Sequence, residues 1–239
     1  MARIIAIDTA LSACSVALGD HGAVTVLCEP KPREHIRLVL PMIDELLSNG
    51  GLSVHDLDAI AFSQGPGSFT GLRIGTGVVQ GLAFGAVIPV IPVSTLRVMA
   101  QAVIDSQLLA LNESVMPIID ARMGDVYWGL YRNVQRRATT VVDDAVSRPC
   151  DVGTDALGFA TAEQISAGVA AGVGDGWQFR SEIPVHPMLI KEQVAAGAEQ
   201  VLILAIDAFS RGDTIPVEQV EPLYLRDKVS WKKRERLRR

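Results

Sequence analysis

Arg3-Ile4-Ile5-Ala6-Ile7-Asp8 is a short apolar run ending in Ile-Asp, and Val115-Met116-Pro117-Ile118-Ile119-Asp120, much further along, ends the same way. Each reads as a buried strand closed by a carboxylate. After the first run, residues 14–18 and 23–27 read as two more strands, with turn signals at Gly19-Asp20 and His21-Gly22. After the second run, residues 126–131 and 139–142 repeat that arrangement, and the polar, basic stretch 132–140 reads as a hairpin tip. The echo predicts a duplicated domain.

Between the two runs the periodicity changes. Ile36, Val39, Leu40, Ile43, Leu46 and Leu47 recur at helical spacing, and Asn49-Gly50-Gly51 ends that helix. Pro41 inside it predicts a kink. Residues 58–63 read as a strand, Gly65-Pro66-Gly67 as a turn, and a helix runs from near Ser68 to about residue 85. A strand at 87–93 carries Pro89 and Pro92, which suits a sheet edge. Ser94 or Thr95 then caps a helix to about residue 104. The order is β-β-β-α-β-α-β-α, an α/β pattern with helices on the faces of a sheet. Later, residues 161–167 and 191–209 read as helices around a strand at 169–173. The implied division is a lobe at 1–110, a second at 111–225 and a tail at 226–239.

The chain has 239 residues, 49% hydrophobic and 21% charged, enough to build a full core. No apolar run is long enough for a signal region or a membrane span, so a cytoplasmic protein is expected. Cys14, Cys28 and Cys150 match no metal or redox spacing and read as buried free thiols. The net charge of −5 divides into about +6 over residues 226–239 and −11 over the rest. That acidic body and basic tail form a charge asymmetry.

Three stretches together carry a family resemblance: Ile7-Asp8-Thr9, Ser15-Val16-Ala17-Leu18, and Gly65-Pro66-Gly67-Ser68-Phe69-Thr70-Gly71-Leu72-Arg73-Ile74-Gly75. With the closing Glu221-Pro222-Leu223-Tyr224-Leu225-Arg226, the set resembles the TsaB/YeaZ family. The resemblance implies two ribonuclease-H-like lobes of the actin, Hsp70 and sugar kinase (ASKHA) superfamily. It also implies a non-catalytic subunit of the complex that forms N6-threonylcarbamoyladenosine at position 37 of tRNAs reading ANN codons. The implied partners are the catalytic TsaD, the small ATPase TsaE, tRNA through the complex, and a second copy when alone. The implied threonylcarbamoyl donor is an adenylate made by a separate enzyme.

Asp8, Thr9, Gly65, Gly67 and Ser68 are the candidate phosphate-side residues. In the wider superfamily a carboxylate at the position of Asp8 works near nucleotide phosphates; alternatively Asp8 organises the turn after its strand. The Gly65-Pro66-Gly67 turn before a helix N-terminus could cradle an anion, or it could serve tight strand-to-helix packing. No Lys follows it, so the nucleoside triphosphate loop signature is incomplete. TsaD carries a His-Leu-Glu-Gly-His metal motif in its third helix; here Thr95 and Met99 stand at the two His positions. Neither suits a divalent metal, and His21, His35, His55 and His186 are scattered, reading as surface or capping residues. No metal and no resident cofactor is expected. ATP or ADP near the partner interface is the one nucleotide position left open.

The helix after Ser68 holds Gly71, Gly75, Gly77 and Gly81, each costing about 1 kcal/mol against Ala. Gly71 and Gly75 share a face, where another helix or the chain's own sheet could approach closely. The resemblance favours a partner and gives His35, Val39, Met42, Phe69, Leu72, Gly75 and Val79 as the dimer surface. Lys232, Lys233 and Arg234, beside Trp231, could contact tRNA phosphates or form a solvated terminus. Two rival readings are a small-molecule kinase or ATPase using Asp8 and the Gly65 turn, and a glycoprotease-like peptidase.

Overall fold

A computed structural model describes residues 2–31, 34–153 and 168–226. The 161–167 helix and the basic tail from residue 227 onward, with Lys232, Lys233 and Arg234, fall outside them.

The first sheet is built from β1 (Ile4–Asp8), β2 (Cys14–Asp20), β3 (Ala23–Glu29), β4 (Ala59–Gly65) and β5 (Val90–Ser94), in the order β3-β2-β1-β4-β5. β1 to β3 are antiparallel neighbours, whereas β4 and β5 run parallel to β1. The second sheet comprises β6 (Ser114–Arg122), β7 (Asp125–Val134), β8 (Arg137–Ser147), β9 (Val169–Val173) and β10 (Leu189–Lys191). Its order β10-β9-β6-β7-β8, read from the other edge, repeats the first, with the same pattern of directions. The Ile-Asp echo thus marks the central strand of each sheet. These are the two ribonuclease-H-like lobes of the ASKHA fold.

Among the described residues four helices pack on the sheets: α1 (His35–Asn49), α2 (Phe69–Ala86), α3 (Thr95–Asp105) and α4 (Ala198–Arg211). β1 is buried along its whole length because both its faces are covered. Alternation sorts its side chains: Ile5 and Ile7 join the core under α1 and α2, and Ile4 and Ala6 the core under α4. β4 repeats this, with Ile60 and Phe62 on one side and Ala59 and Ala61 on the other. On the α4 side the two strands thus contribute Ala6, Ala59 and Ala61 beside Ile4.

Each lobe lends a helix to the other. α3 follows the first sheet but buries Leu96, Met99 and Val103 with Val115, Tyr131 and Val173 of the second. α4 follows the second sheet but covers the first. A cut near residue 110 would separate both helices from the sheets they cover.

Several sequence boundaries shift. The helix expected at 191–209 begins at Ala198, because residues 189–191 form β10. At the start of α4 the Gln200 Oε1 accepts the Gly197 N–H at 3.2 Å, and Ser15 Oγ, from β2, accepts the Ala198 N–H at 2.9 Å. The strand expected at 87–93 begins at Val90, because Val87 ends α2 in the left-handed region at φ 57°. β5 is an edge strand, as its prolines suggest. α1 passes through Pro41 as one continuous helix. The hairpin tip lies at Gln135 and Arg136, both at positive φ. Of the thiols expected to be buried, only Cys14 is, and burial pushes it up to about 11; Cys28 and Cys150 are exposed. Among the described residues no helix is long and apolar enough to cross a membrane.

Candidate functional site

The five phosphate-side residues meet where β1 and β4 end and α2 begins. Asp8 is fully buried. Its Oδ1 accepts the N–H groups of Ala10 and Leu11 at 3.1 and 3.2 Å, and its Oδ2 accepts the Ser63 hydroxyl. Burial raises its pKa above the usual carboxylate range, against the lowering effect of those hydrogen bonds. Geometrically, Asp8 braces the turn after β1 and ties it to β4.

That turn fills the space beside the glycine-proline loop. The Ser68 N–H donates to the Ala10 carbonyl at 2.9 Å, and Thr9 Oγ1 donates to the Gly71 carbonyl at 2.8 Å. A Cβ on Gly67 would stand 2.6 Å from Ala10 O, and one on Gly71 only 1.9 Å from Thr9 O. A Cβ on Gly75 would stand 2.4 Å from Thr9 Oγ1. The glycines at 67 and 71 therefore admit the chain's own backbone, and Gly75 admits the Thr9 hydroxyl. Gly65, at φ 129°, lies under Leu223, whose carbonyl would be 2.9 Å from an added Cβ.

This corrects the expected dimer surface. Leu72, Gly75 and Val79 lie on the covered face of α2, and His35, Val39 and Met42 are buried along α1. Of the seven, only Phe69 is substantially exposed, at 58%. The helices form a surface mainly through their other faces, to which Val39 and Phe69 of the expected set also contribute. His35 is also no surface residue; its Nε2 has no hydrogen-bond partner among the described residues.

The outer face of α2 carries Gly77, Gly81 and Gly85, and an added Cβ on any of them would meet nothing within 4 Å. With α1 it forms an open groove of about 660 Å³, lined by Ile36, Leu40, Phe69, Ile74, Gly77 and Gly81 among others. Ile36 is 69% exposed and Leu40 50%, and Phe84 stands beyond them at 74%. Isolated exposed apolar residues are ordinary, but a contiguous set along two helices marks an interaction surface. One end is fixed by Arg73, whose guanidinium lies 3.9 Å above the Phe69 ring and donates to the Tyr224 hydroxyl at 3.1 Å. The sequence reading missed Ile36, Leu40, Gly77 and Gly81 as surface residues. The signal was their shared four-residue spacing, which the core residues also show.

Elsewhere, Thr95 and Met99 are buried in α3. Among the described residues, no three His, Cys, Asp or Glu side chains are grouped to hold a metal.

The family model for TsaD, tRNA N6-adenosine threonylcarbamoyltransferase, matches residues 7–229. The tRNA threonylcarbamoyladenosine biosynthesis protein TsaB of Escherichia coli strain K12 is 41% identical over 235 residues, 97% of each chain. A crystal structure of a Pseudomonas aeruginosa protein described as similar to peptidase YeaZ is 39% identical, with TM-score 0.84 over 95% of this chain and 100% of that one. YeaZ from Pseudomonas aeruginosa is 38% identical, with TM-score 0.81 over 94% and 100%. Near-full coverage at this identity, on a shared duplicated fold, means that the chain belongs to the TsaB/YeaZ family, whose curated members are named for threonylcarbamoyladenosine biosynthesis in tRNA.

Proposed function

We propose that the chain is a non-catalytic docking subunit in threonylcarbamoyladenosine formation, and that the α1–α2 groove seats the equivalent helix pair of TsaD. The open groove between those helices carries this reading. The choice of occupant follows from homology. The transferase model spans residues 7–229, a range that contains α1 and α2, so a transferase of this family has counterparts of both. Two such pairs can meet face to face, each laying its apolar stripe on the other, with the small residues at Gly77 and Gly81 permitting close approach. A second copy of the chain would use the same groove when TsaD is absent.

In this reading Asp8, Thr9, Gly65, Gly67 and Ser68 serve the packing of turn on helix and hold no nucleotide, which the close approach of Thr9 and Ala10 to Gly67 and Gly71 supports. ATP or ADP would sit at the shared interface, where TsaE would also act. The kinase and peptidase readings lose their support with that close packing and with Thr95 and Met99 at the ligand positions. Lys232, Lys233 and Arg234 add salt-sensitive tRNA affinity within the complex.

Reconstitution tests this. Unmodified tRNA, the threonylcarbamoyl donor and TsaD should give little product without the chain and sustained product with it. Gly81→Leu, which fills the groove, should return the rate to the level without the chain. Product formed by the chain without TsaD, or full stimulation by Gly81→Leu, would contradict the proposal.

A further inference from the structure

The closing motif 221–226 is not explained by the groove alone. Its chain crosses from one lobe to the other. Gln80 Nε2 donates to the Val220 carbonyl at 2.7 Å, and Gln64 Nε2 to the Glu221 carbonyl at 3.1 Å. The Leu223 N–H donates to Gln64 O at 2.9 Å, extending the end of β4. Tyr224 accepts from Arg73, and its ring centroid lies 6.1 Å from that of Phe69. Two residues later the chain reaches the second sheet. Arg226 donates to Asp125 Oδ2 at 2.6 Å and to the Arg122 carbonyl at 3.2 Å, and its other nitrogen lies 3.3 Å from Met123 Sδ.

The turn that Arg226 grips joins β6 to β7. Arg122 and Met123 lie at φ 63° and 59°, a left-handed region that side chains enter only at a steric cost. The β7–β8 hairpin tip at Gln135 and Arg136 has the same conformation, the one that tight hairpins favour. Other inter-lobe contacts lie along the same strands: the Ser94 hydroxyl bonds the Tyr131 hydroxyl and Asp144, and Leu11 packs with the cluster that holds Ile119 and Tyr127. At the opposite end of β7, the β7–β8 hairpin meets α3 through Gln101, which accepts the Ala138 N–H, and α4 through the Arg137–Asp207 pair. The ten residues of β7 place the two ends about 30 Å apart.

We propose that residues 220–226 are a latch that holds the second lobe against the first and transmits its state to the groove. Closed, it fixes the Arg122–Asp125 turn at one end and, through Tyr224, the Phe69–Arg73 end of the groove at the other. Anything that orders Phe69 and Arg73 by filling the groove then favours the closed latch, and closing the latch favours docking by the same factor. The docking half rests on the groove reading; the latch does not.

Amide hydrogen exchange on the isolated full chain tests it without any partner. Arg226→Ala should speed exchange at residues 122–125 and also at 71–73 by about tenfold, while the central strand at residues 4–8 keeps its protection. Tyr224→Phe, which removes only the hydroxyl, should speed exchange at 122–125, a lobe away, and carries the test if Arg226→Ala does not fold. Acceleration confined to each variant's own end, or none at either end, would overturn the latch. A chain with normal coupling that still fails to bind TsaD would leave the latch standing and overturn the docking reading alone.

Discussion

The two faces of α2 use the same device for opposite ends. On the inner face, Gly71 and Gly75 stand four residues apart and meet the Thr9 backbone and hydroxyl. On the outer face, Gly77 and Gly81 stand four residues apart and meet nothing. Spacing identifies two small-residue stripes but not what covers them. The difference between the faces lies in long-range packing: the turn after β1, pinned by Asp8, closes one stripe, while the other remains the floor of a groove.

That contrast can be broken by substitution. Gly71→Ala drives a methyl into a backbone oxygen that cannot move independently, and should destabilise the fold by about 3 kcal/mol. The urea midpoint reads this; an unchanged midpoint would mean the inner stripe is looser than the distances imply. Asp8→Ala leaves the buried Ala10 N–H, the half-buried Leu11 N–H and the Ser63 hydroxyl without their acceptor. It should cost about 2 kcal/mol by the same assay. Gly77→Ala, on the open face, should instead raise stability by about 0.5–1 kcal/mol, since helical Gly is replaced without a clash. Opposite signs at Gly71 and Gly77 are the signature; matching signs would remove the distinction between the faces.

The smallest effect concerns pH. Asp8 has a raised pKa in the folded chain, so protonation is favoured by folding. Its contribution to stability is fully present below the unfolded value of about 3.9 and is lost as pH rises through the folded value. Asp8→Asn keeps an acceptor at Oδ1 without the charge. The stability of the natural chain relative to Asp8→Asn should therefore fall as pH rises from about 4. Parallel stability curves for the two would show that burial does not control this carboxylate.

Much of the fold was legible because each central strand announces itself by an apolar run closed by Asp8 or Asp120, and because period and turn residues agree through the first lobe. The start of α4 was not, since the group that accepts its Ala198 N–H is Ser15, 183 residues away. Nor was the end of α2, where Val87 takes a conformation usually left to glycine. For the site, the sequence pointed to the right helices and the wrong faces. Val39 and Leu40 are both apolar neighbours on α1, yet one is buried and the other half-exposed. Their assignment depends on the sheet beneath, which no local pattern reveals. The latch was visible only as a motif, because its partners, Gln64, Arg73 and Asp125, lie about 100 residues or more away in sequence.

The central claim is that the open face of α2 receives a partner helix. Calorimetric titration of purified TsaD with the natural chain, Gly77→Leu and Gly81→Leu tests it most directly. The account predicts that either leucine weakens binding by about a hundredfold, the effect of a side chain that two close helices cannot accommodate. It also predicts that neither variant is less stable than the natural chain, since a helical Gly on the open face is replaced by a better helix former. Undiminished affinity in both variants, with the fold intact, would contradict it.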